Sequence, residues 1–473
     1  MQNIDTIYIN GQFVTPHGEE WFDLHNPATE EVIGRVRLAD VDDCRRAIAA
    51  AKAALPRWSS TTKVERIAAL RRMHAAVSAR QADLREALIT EYGAPSARAD
   101  WMTRYPADTI AETIEALEHF EFVETAGTAQ VVHTPLGVAG LITPWNSDAG
   151  FICSKLAAAL AAGCTAVIKP SEMSALQTRI VSEALHEAAL PAGVFNIVTG
   201  CGEVVGAEIS RHPDVAKISF TGSTVVGKQI VRESAETLKR VTLELGGKSP
   251  TVILDDADIA AAVPLALQAG FQNSGQACIA GTRILVSSTR LSEFEEAFAK
   301  AVGKVKSGNP RDTDTEIGPM VSRKQWERVQ SYIRLGVEEG ARVLAGGEGR
   351  PNGVQKGWFV RPTLFTDGNN RMRIAREEIF GPVLVLIPYR DEAEAVALAN
   401  DTSYGLSAVV LGTDGRRAAH VARQIEPGRV LINTLAHEPR APFGGFKQSG
   451  IGREMGKWGL AAYLEPKTIL MGA

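Results

Sequence analysis

The 473-residue sequence predicts an α/β fold with much parallel sheet. Three observations carry that prediction. Short apolar runs alternate with amphipathic stretches of helical period. Glycine-bearing turns stand where two of those runs give way to helix-like sequence. No internal repeat, low-complexity tract or long charge run breaks the alternation.

Taken in order, a helix comes first: Ile67, Leu70, Met73 and Val77 recur at three- and four-residue steps, with Gly93 as the expected stop. The strands then read GVAGLI (137–142), TAVI (165–168), VFNIV (194–198), KISF (217–220), TVIL (251–254), RILV (283–286), SAVVLG (407–412) and RVLIN (429–433). Ile180, Ala184 and Leu185 mark a helix that Pro191 should end, and Ala260 to Phe271 reads as another. In ELGGKSP (244–250), Gly246 and Gly247 break a strand and Pro250 precedes the next, so a domain boundary is expected there. The Thr/Val-rich segment from Phe120 to about Leu136 fits poorly between two βα units and reads as an excursion that pairs with another subunit.

The bulk numbers exclude several classes. The length has room for about three domains of ~150 residues. A net charge of -4 argues against a general nucleic-acid binder. The longest apolar stretch, Leu156 to Ile168, is broken by Gly163 and falls short of the ~20 residues a membrane helix needs. The start, MQNIDTIYIN, lacks a secretory pattern. Five cysteines (Cys44, Cys153, Cys164, Cys201 and Cys278) are odd in number and lack CxxC or Cys/His spacing. That predicts free thiols in a reducing cytoplasm and no metal site.

Four of those thiols read as small buried hydrophobes. The fifth does not. In GFQNSGQACIAGTR (270–283), Cys278 stands among small and polar residues that leave its sulfur open to an electrophile. A thiol with a pKa of about 8.5 needs local help to ionise, yet none of the nine histidines is patterned as its base. Glu244, thirty-four residues earlier, ends an apolar strand, where burial would raise its pKa towards the range of a general base. Asn146 in TPWNSD (143–148) follows a strand and could donate two hydrogen bonds, or simply form a turn.

Two junctions could hold phosphate. KISF runs into TGSTVVG, placing Gly222 and Ser223 at a helix start, and VFNIV runs into TGCGEVVG (199–206). Each alone is also plain turn chemistry; two within one βαβαβ run point to a nucleotide domain. Lys169 and Glu172 in KPSE stand at a strand's carboxyl end, where doubly wound sheets bind ligands. A surface pair is the alternative for them. A carboxylate there repels a 2′-phosphate, which favours NAD over NADP and leaves NADP open.

Together the pieces PWN (144–146), KPSE (169–172), FTGSTVVG (220–227), ELGGKSP (244–250), GQAC (275–278), EEIFGPV (377–383) and PFGGFKQSGIGRE (442–454) resemble the aldehyde dehydrogenase superfamily, in order and across nearly the whole chain. The resemblance implies a Rossmann-like NAD-binding domain (1–116 and 138–246), an α/β catalytic domain (247–447) and a small β oligomerisation flap (117–137 and 460–473). It implies a homodimer or homotetramer acting on a small-molecule aldehyde, with no nucleic-acid or membrane partner. Cys278 would attack the aldehyde to give a thiohemiacetal. Asn146 and the Cys278 backbone N–H would stabilise the oxyanion, roughly 3 kcal/mol per donor. Hydride transfer would leave a thioester, which water activated by Glu244 would hydrolyse. Lys169 and Glu172 resemble ligands of the adenine ribose, while Gly222 and Ser223 resemble the pyrophosphate turn, with Gly246 also at the cofactor. Glu378 and Phe380 resemble the nicotinamide-side contacts. Lys155 and Glu454 match positions of proton relay or site organisation, or of structure alone, and Phe443 resembles a wall of the aldehyde tunnel.

The chain also departs from the family. Relatives read PWNFP or PWNYP where this one has Ser147, which should widen the tunnel or make it more polar, and Asp148, which should add a carboxylate near it. Ser154 stands where a tryptophan is common, so an aromatic cage for a quaternary ammonium group is missing. Arg104 and Tyr105 lie in a helix that often lines the tunnel, and His437 and Glu438 lie in the loop before PFGG. Two other functions compete with this one. A CoA-acylating semialdehyde dehydrogenase would generally lack the residue matched by Glu244. A non-redox thiol hydrolase or silent binding protein would leave the cofactor residues unexplained.

Overall fold

Parallel strands buried on both faces organise the chain. The computed structural model describes residues 2–471. Its largest sheet has eight strands, five of them parallel. Val138–Ile142 is central, with Thr165–Lys169 and Phe195–Ile197 on one side and Val215–Thr221 and Arg240–Glu244 on the other. Every residue of Val138–Ile142 and Thr165–Lys169 is buried, which explains their continuous apolar sequence. In register, Ile142 pairs with both Lys169 and Phe220, and Thr221 pairs with Glu244. The carboxyl ends of four strands therefore share one edge.

A second sheet holds six parallel strands: Thr363–Thr366, Val383–Tyr389, Arg283–Ser287, Pro250–Ile253, Ser407–Leu411 and Arg429–Ile432. The chain leaves the first sheet at Glu244 and enters the second at Pro250. It later returns, because Gly450–Ile451 pairs antiparallel with Leu243 and Glu244. A small antiparallel sheet joins Val123–Ala126, Ala129–Pro135 and Leu464–Leu470, with Leu470 and Met471 exposed at its end. Residue 1 and residues 472–473, which fall in the expected cofactor and oligomerisation segments, lie outside the described residues.

Three local expectations need correction. The helix carrying Ile67 to Val77 ends at Ser78, and Gly93 instead closes two later helical pieces, Gln81–Ala87 and Leu88–Tyr92. Gly93 has φ 80°, and a Cβ there would sit 2.6 Å from Pro319 Cγ, so the position requires glycine. The helix Ala175–Glu187 ends ahead of Pro191, the chain having already turned at Ala189 with φ 50°. Gly202–Gly206 winds into a wide helical turn that feeds Ala207–Arg211, so this second glycine junction is itself helix. The sequence reading also lacks a small sheet near the amino terminus, formed by Gln2–Ile4, Trp21–Asn26 and Glu31–Arg37.

Candidate active site

Cys278 is presented by a strained and tightly held loop. After the helix Ile259–Phe271, three successive residues, Asn273, Ser274 and Gly275, take φ of 55°, 58° and 73°. The two non-glycine residues cost on the order of 1–3 kcal/mol each unless their surroundings impose the shape. Those surroundings are present. Ser274 Oγ accepts from the Gly318 N–H at 2.9 Å, and Gln276 Oε1 accepts from the Val321 N–H at 3.0 Å. A Cβ on Gly275 would overlap the Gly381 carbonyl.

The same loop ties the thiol to Asn146, on the short turn Trp145–Ser147. Asn146 Nδ2 donates to the Gln276 carbonyl at 3.1 Å, and Asn273 Nδ2 donates to the Asn146 carbonyl at 3.2 Å. One Asn146 amide hydrogen is thereby used, leaving the second for a ligand.

Cys278, Asn146 and Ser147 line a cavity of about 460 Å³, together with Glu244, Lys155, Glu454 and Phe443. Cys278 keeps part of its surface open. Burial, followed by the charges of Glu378 and Glu244, pushes its thiol up to about 12. The resting group is therefore S–H. Glu244 is 3% exposed, and neither carboxyl oxygen has a hydrogen-bond partner among the described residues. Burial first, then the Glu454 charge, raises it well above the usual carboxylate range, so that once ionised it is a stronger base than an ordinary carboxylate. Lys155 Nζ donates to Glu454 Oε1 at 2.5 Å and to Ser219 Oγ at 3.0 Å, and Ser219 Oγ donates to Glu454 Oε1 at 2.9 Å. Phe443 and Glu454 exchange backbone hydrogen bonds at 2.9 and 2.7 Å, so one bridge fixes a wall and an acid.

The remaining predicted residues gather along the strand edge. Lys169 Nζ lies 3.1 Å from Glu172 Oε2. Gly222 follows the strand Val215–Thr221, and Ser223 caps the helix Thr224–Ser234, its Oγ accepting from the Val226 N–H at 3.3 Å. Glu378 Oε1 accepts from the Gly247 N–H at 3.0 Å, and a Cβ on Gly246 would sit 2.5 Å from Glu378 Oε2. Burial raises Glu378 to about 7. Phe380 stands edge-on to Trp145, ring centres 5.4 Å apart.

Around the cavity, Ser147, Ser154, Tyr105 and His437 all line the wall. Asp148 does not. It is fully buried and turned away, with Thr143 and Thr178 hydroxyls donating to it at 2.9 and 2.8 Å, so it adds no carboxylate to the tunnel. Arg104 is also absent from the wall, its Nε donating to the Asp100 carbonyl at 3.1 Å. Arg98, Trp101 and Arg429 line it instead. Asn273, Gln276 and Ser219 went unmarked in the sequence. The polar residues packed into QNSGQAC were the available signal for the first two.

A sequence model of the aldehyde dehydrogenase family matches residues 13–469. A 3-succinoylsemialdehyde-pyridine dehydrogenase from a Pseudomonas species is 43% identical over 472 residues, 99% of each chain. A cysteine-to-alanine mutant of aldehyde dehydrogenase C from Pseudomonas syringae, solved with NAD+ and octanal, superposes with TM-score 0.97 at 43% identity, covering 98% of this chain and 96% of that one. Betaine aldehyde dehydrogenase from Staphylococcus aureus, solved with NAD+, gives TM-score 0.95 at 36% identity, covering 98% and 94%. With this coverage and identity, the chain belongs to the aldehyde dehydrogenase family.

Proposed function

We propose that the protein oxidises an aldehyde to its carboxylic acid, with NAD+ as hydride acceptor and Cys278 as nucleophile. The observation that carries this reading is the convergence of Cys278, the free amide hydrogen of Asn146 and the unpartnered carboxyl of Glu244 on one cavity.

The strand edge fits a dinucleotide. Lys169 and Glu172 offer a paired cation and carboxylate to ribose hydroxyls, and the carboxylate disfavours a 2′-phosphate. Ser223 opens a helix start on which Val225 is 77% exposed, an apolar surface awaiting a flat partner. Gly246 leaves room against Glu378, whose buried carboxyl can meet a second ribose. Phe380, held by Trp145, packs beside it. The chemistry that NAD+ supplies when bound is acceptance of a hydride from the carbon attached to Cys278.

This chain's residues do the rest. Cys278 Sγ releases its proton to solvent water and bonds to the aldehyde carbon, whose C=O π electrons pass to the oxygen, giving a thiohemiacetal oxyanion. The Asn146 amide and the Cys278 N–H donate to the oxyanion. Small neighbours let two reactants come within about 3–3.5 Å of one sulfur. Once a thioester has formed, Glu244 takes a proton from water, the water oxygen bonds to the carbonyl, and the acid and thiol are released. Glu454, clamped by Lys155 and Ser219, raises Glu244 by its charge and holds that end of the site. A CoA-acylating enzyme would have no use for Glu244 as a base.

An exposed edge carrying Leu470 and Met471 fits a homodimer or homotetramer built through the small sheet. No helix among the described residues is long and apolar enough to cross a membrane. The five cysteines are all free, as a reducing cytoplasm would keep them.

An aldehyde panel spanning aliphatic, aromatic, hydroxylated and acidic members, read as NADH formation without CoA, tests the reading. Acid release with at least one member is the expected result, and dependence on CoA would replace it with the acylating alternative. Ser147→Phe, which narrows the wall, should reorder that panel against the bulkier members, and an unchanged ranking would show that Ser147 does not set selectivity. Betaine aldehyde should rank low in the wild type, because Ser147 and Ser154 give the cavity no aromatic pair at those positions.

A further inference from the structure

The cavity wall contains two guanidinium groups to which the protein supplies no anion. Arg429 opens the strand Arg429–Ile432. Its Nε donates to Ser407 Oγ at 3.0 Å, and its guanidinium carbon lies 5.5 Å from the centre of the Phe443 ring. Among the described residues its terminal nitrogens make no hydrogen bond and no carboxylate stands within 4.0 Å. Arg98 lies 4.2 Å over the Trp101 ring, and its buried Nε has no partner among the described residues.

Buried arginines elsewhere in this chain behave differently. Arg66 donates to the carbonyls of Ser59 and Ala161, and Arg283 to those of Lys248, Leu398 and Ala399. Every guanidinium nitrogen of those two donates, and they hold backbone together. A guanidinium that is half-buried yet keeps its terminal donors unpaired has lost solvation without recompense. Such a group is complementary to an anion that arrives with a ligand, because its planar fork matches a carboxylate.

Three acids line the same cavity, Glu112, Glu244 and Glu454, and among the described residues none stands within 4.0 Å of either guanidinium. Glu112 belongs to a carboxylate group with Asp108, Glu115 and Glu438, and burial together with those charges pushes it up to about 7. Glu115 and Glu438 in turn face Arg440, at 3.6 and 3.7 Å. Arg429 lies close enough to the nucleophile for its charge to favour the Cys278 thiolate.

Resting on the reading that this cavity takes an aldehyde, we propose that Arg429, seconded by Arg98, binds a carboxylate carried by the substrate itself. The substrate class is then a short aldehyde acid, with the carbonyl at Cys278 and the carboxylate at the guanidinium groups. The reaction that supplies it must generate an aldehyde on a molecule already bearing a carboxylate, and the product is a dicarboxylate.

The test compares kcat/KM for 4-oxobutanoate, its methyl ester and butanal with NAD+, in wild type, Arg429→Gln, Arg429→Lys and Arg98→Gln. The wild type should prefer the acid to the ester by at least about tenfold. In Arg429→Gln that ratio should fall at least about tenfold, through KM for the acid, with Arg429→Lys intermediate and Arg98→Gln showing a smaller fall. Both substrates are measured on the same preparation, so partial misfolding lowers numerator and denominator alike. A wild type that prefers the ester, or a ratio unmoved by Arg429→Gln, would overturn the proposal. An equal loss on all three substrates would also overturn it, assigning Arg429 to the thiolate or to packing. Turnover of butanal without preference for the acid sinks this proposal alone, whereas no NADH from any of the three sinks the aldehyde reading with it.

Discussion

Cys278→Ala should abolish NADH formation, lowering kcat/KM by at least about 10⁴-fold with every aldehyde that the wild type accepts. The magnitude follows from the role proposed for the sulfur, since without it no covalent intermediate forms. Binding and oxyanion donors alone supply only residual acceleration. The fold should survive, because the loop that presents Cys278 is held by Ser274, Gln276 and the backbone around Gly275, none of which uses the thiol. Thermal stabilisation by NAD+ should therefore match the wild type. A variant that keeps activity within tenfold of wild type would remove Cys278 from the chemistry. The pH profile carries a second check. The thiol is pushed up to about 12, so it is protonated at neutral pH, and wild-type kcat/KM should rise with pH across the neutral range.

How much of this was legible without coordinates differs by type of contact. The parallel strands were legible because both their faces are buried, which leaves an apolar run with no polar alternation to confuse it. Residues at their carboxyl ends followed, since parallel register brings those ends together whatever the loops do. Long-range side-chain contacts were not legible. Asp148 turns inward because the Thr178 hydroxyl, thirty residues away, donates to its carboxyl in the core. Arg429 read as the first residue of an apolar strand, and only the packing of Ser407 and Phe443 turns it to the cavity. The three-residue strand Gln2–Ile4 is too short to show a period, and pairing with Glu31–Arg37 across the intervening chain makes it a strand.

Glu244→Gln should separate the two halves of the reaction. Glutamine is nearly isosteric and cannot accept the proton of the attacking water, so steady-state kcat should fall about 10²–10⁴-fold. Formation of the thioester does not need that step. The first turnover should therefore still release about one NADH per active site before the slow phase. A burst as slow as the steady state would assign Glu244 to thiol deprotonation as well, and an unchanged kcat would exclude it as the base. Stability supplies an independent sign. The folded-state pKa of Glu244 lies well above its unfolded value, because burial and then Glu454 oppose the charged form. The native state thus holds a proton that the unfolded chain has released, and stability declines as pH rises above about 4.5 through the folded value. Glutamine cannot ionise and escapes that decline. The variant should be close to the wild type in Tm at about pH 5 and exceed it by a margin that widens as pH rises towards the folded value and levels off beyond it. A protein crippled in turnover yet more heat-resistant in alkali is what a buried, unpartnered base implies, whereas a merely structural glutamate would lose stability when replaced.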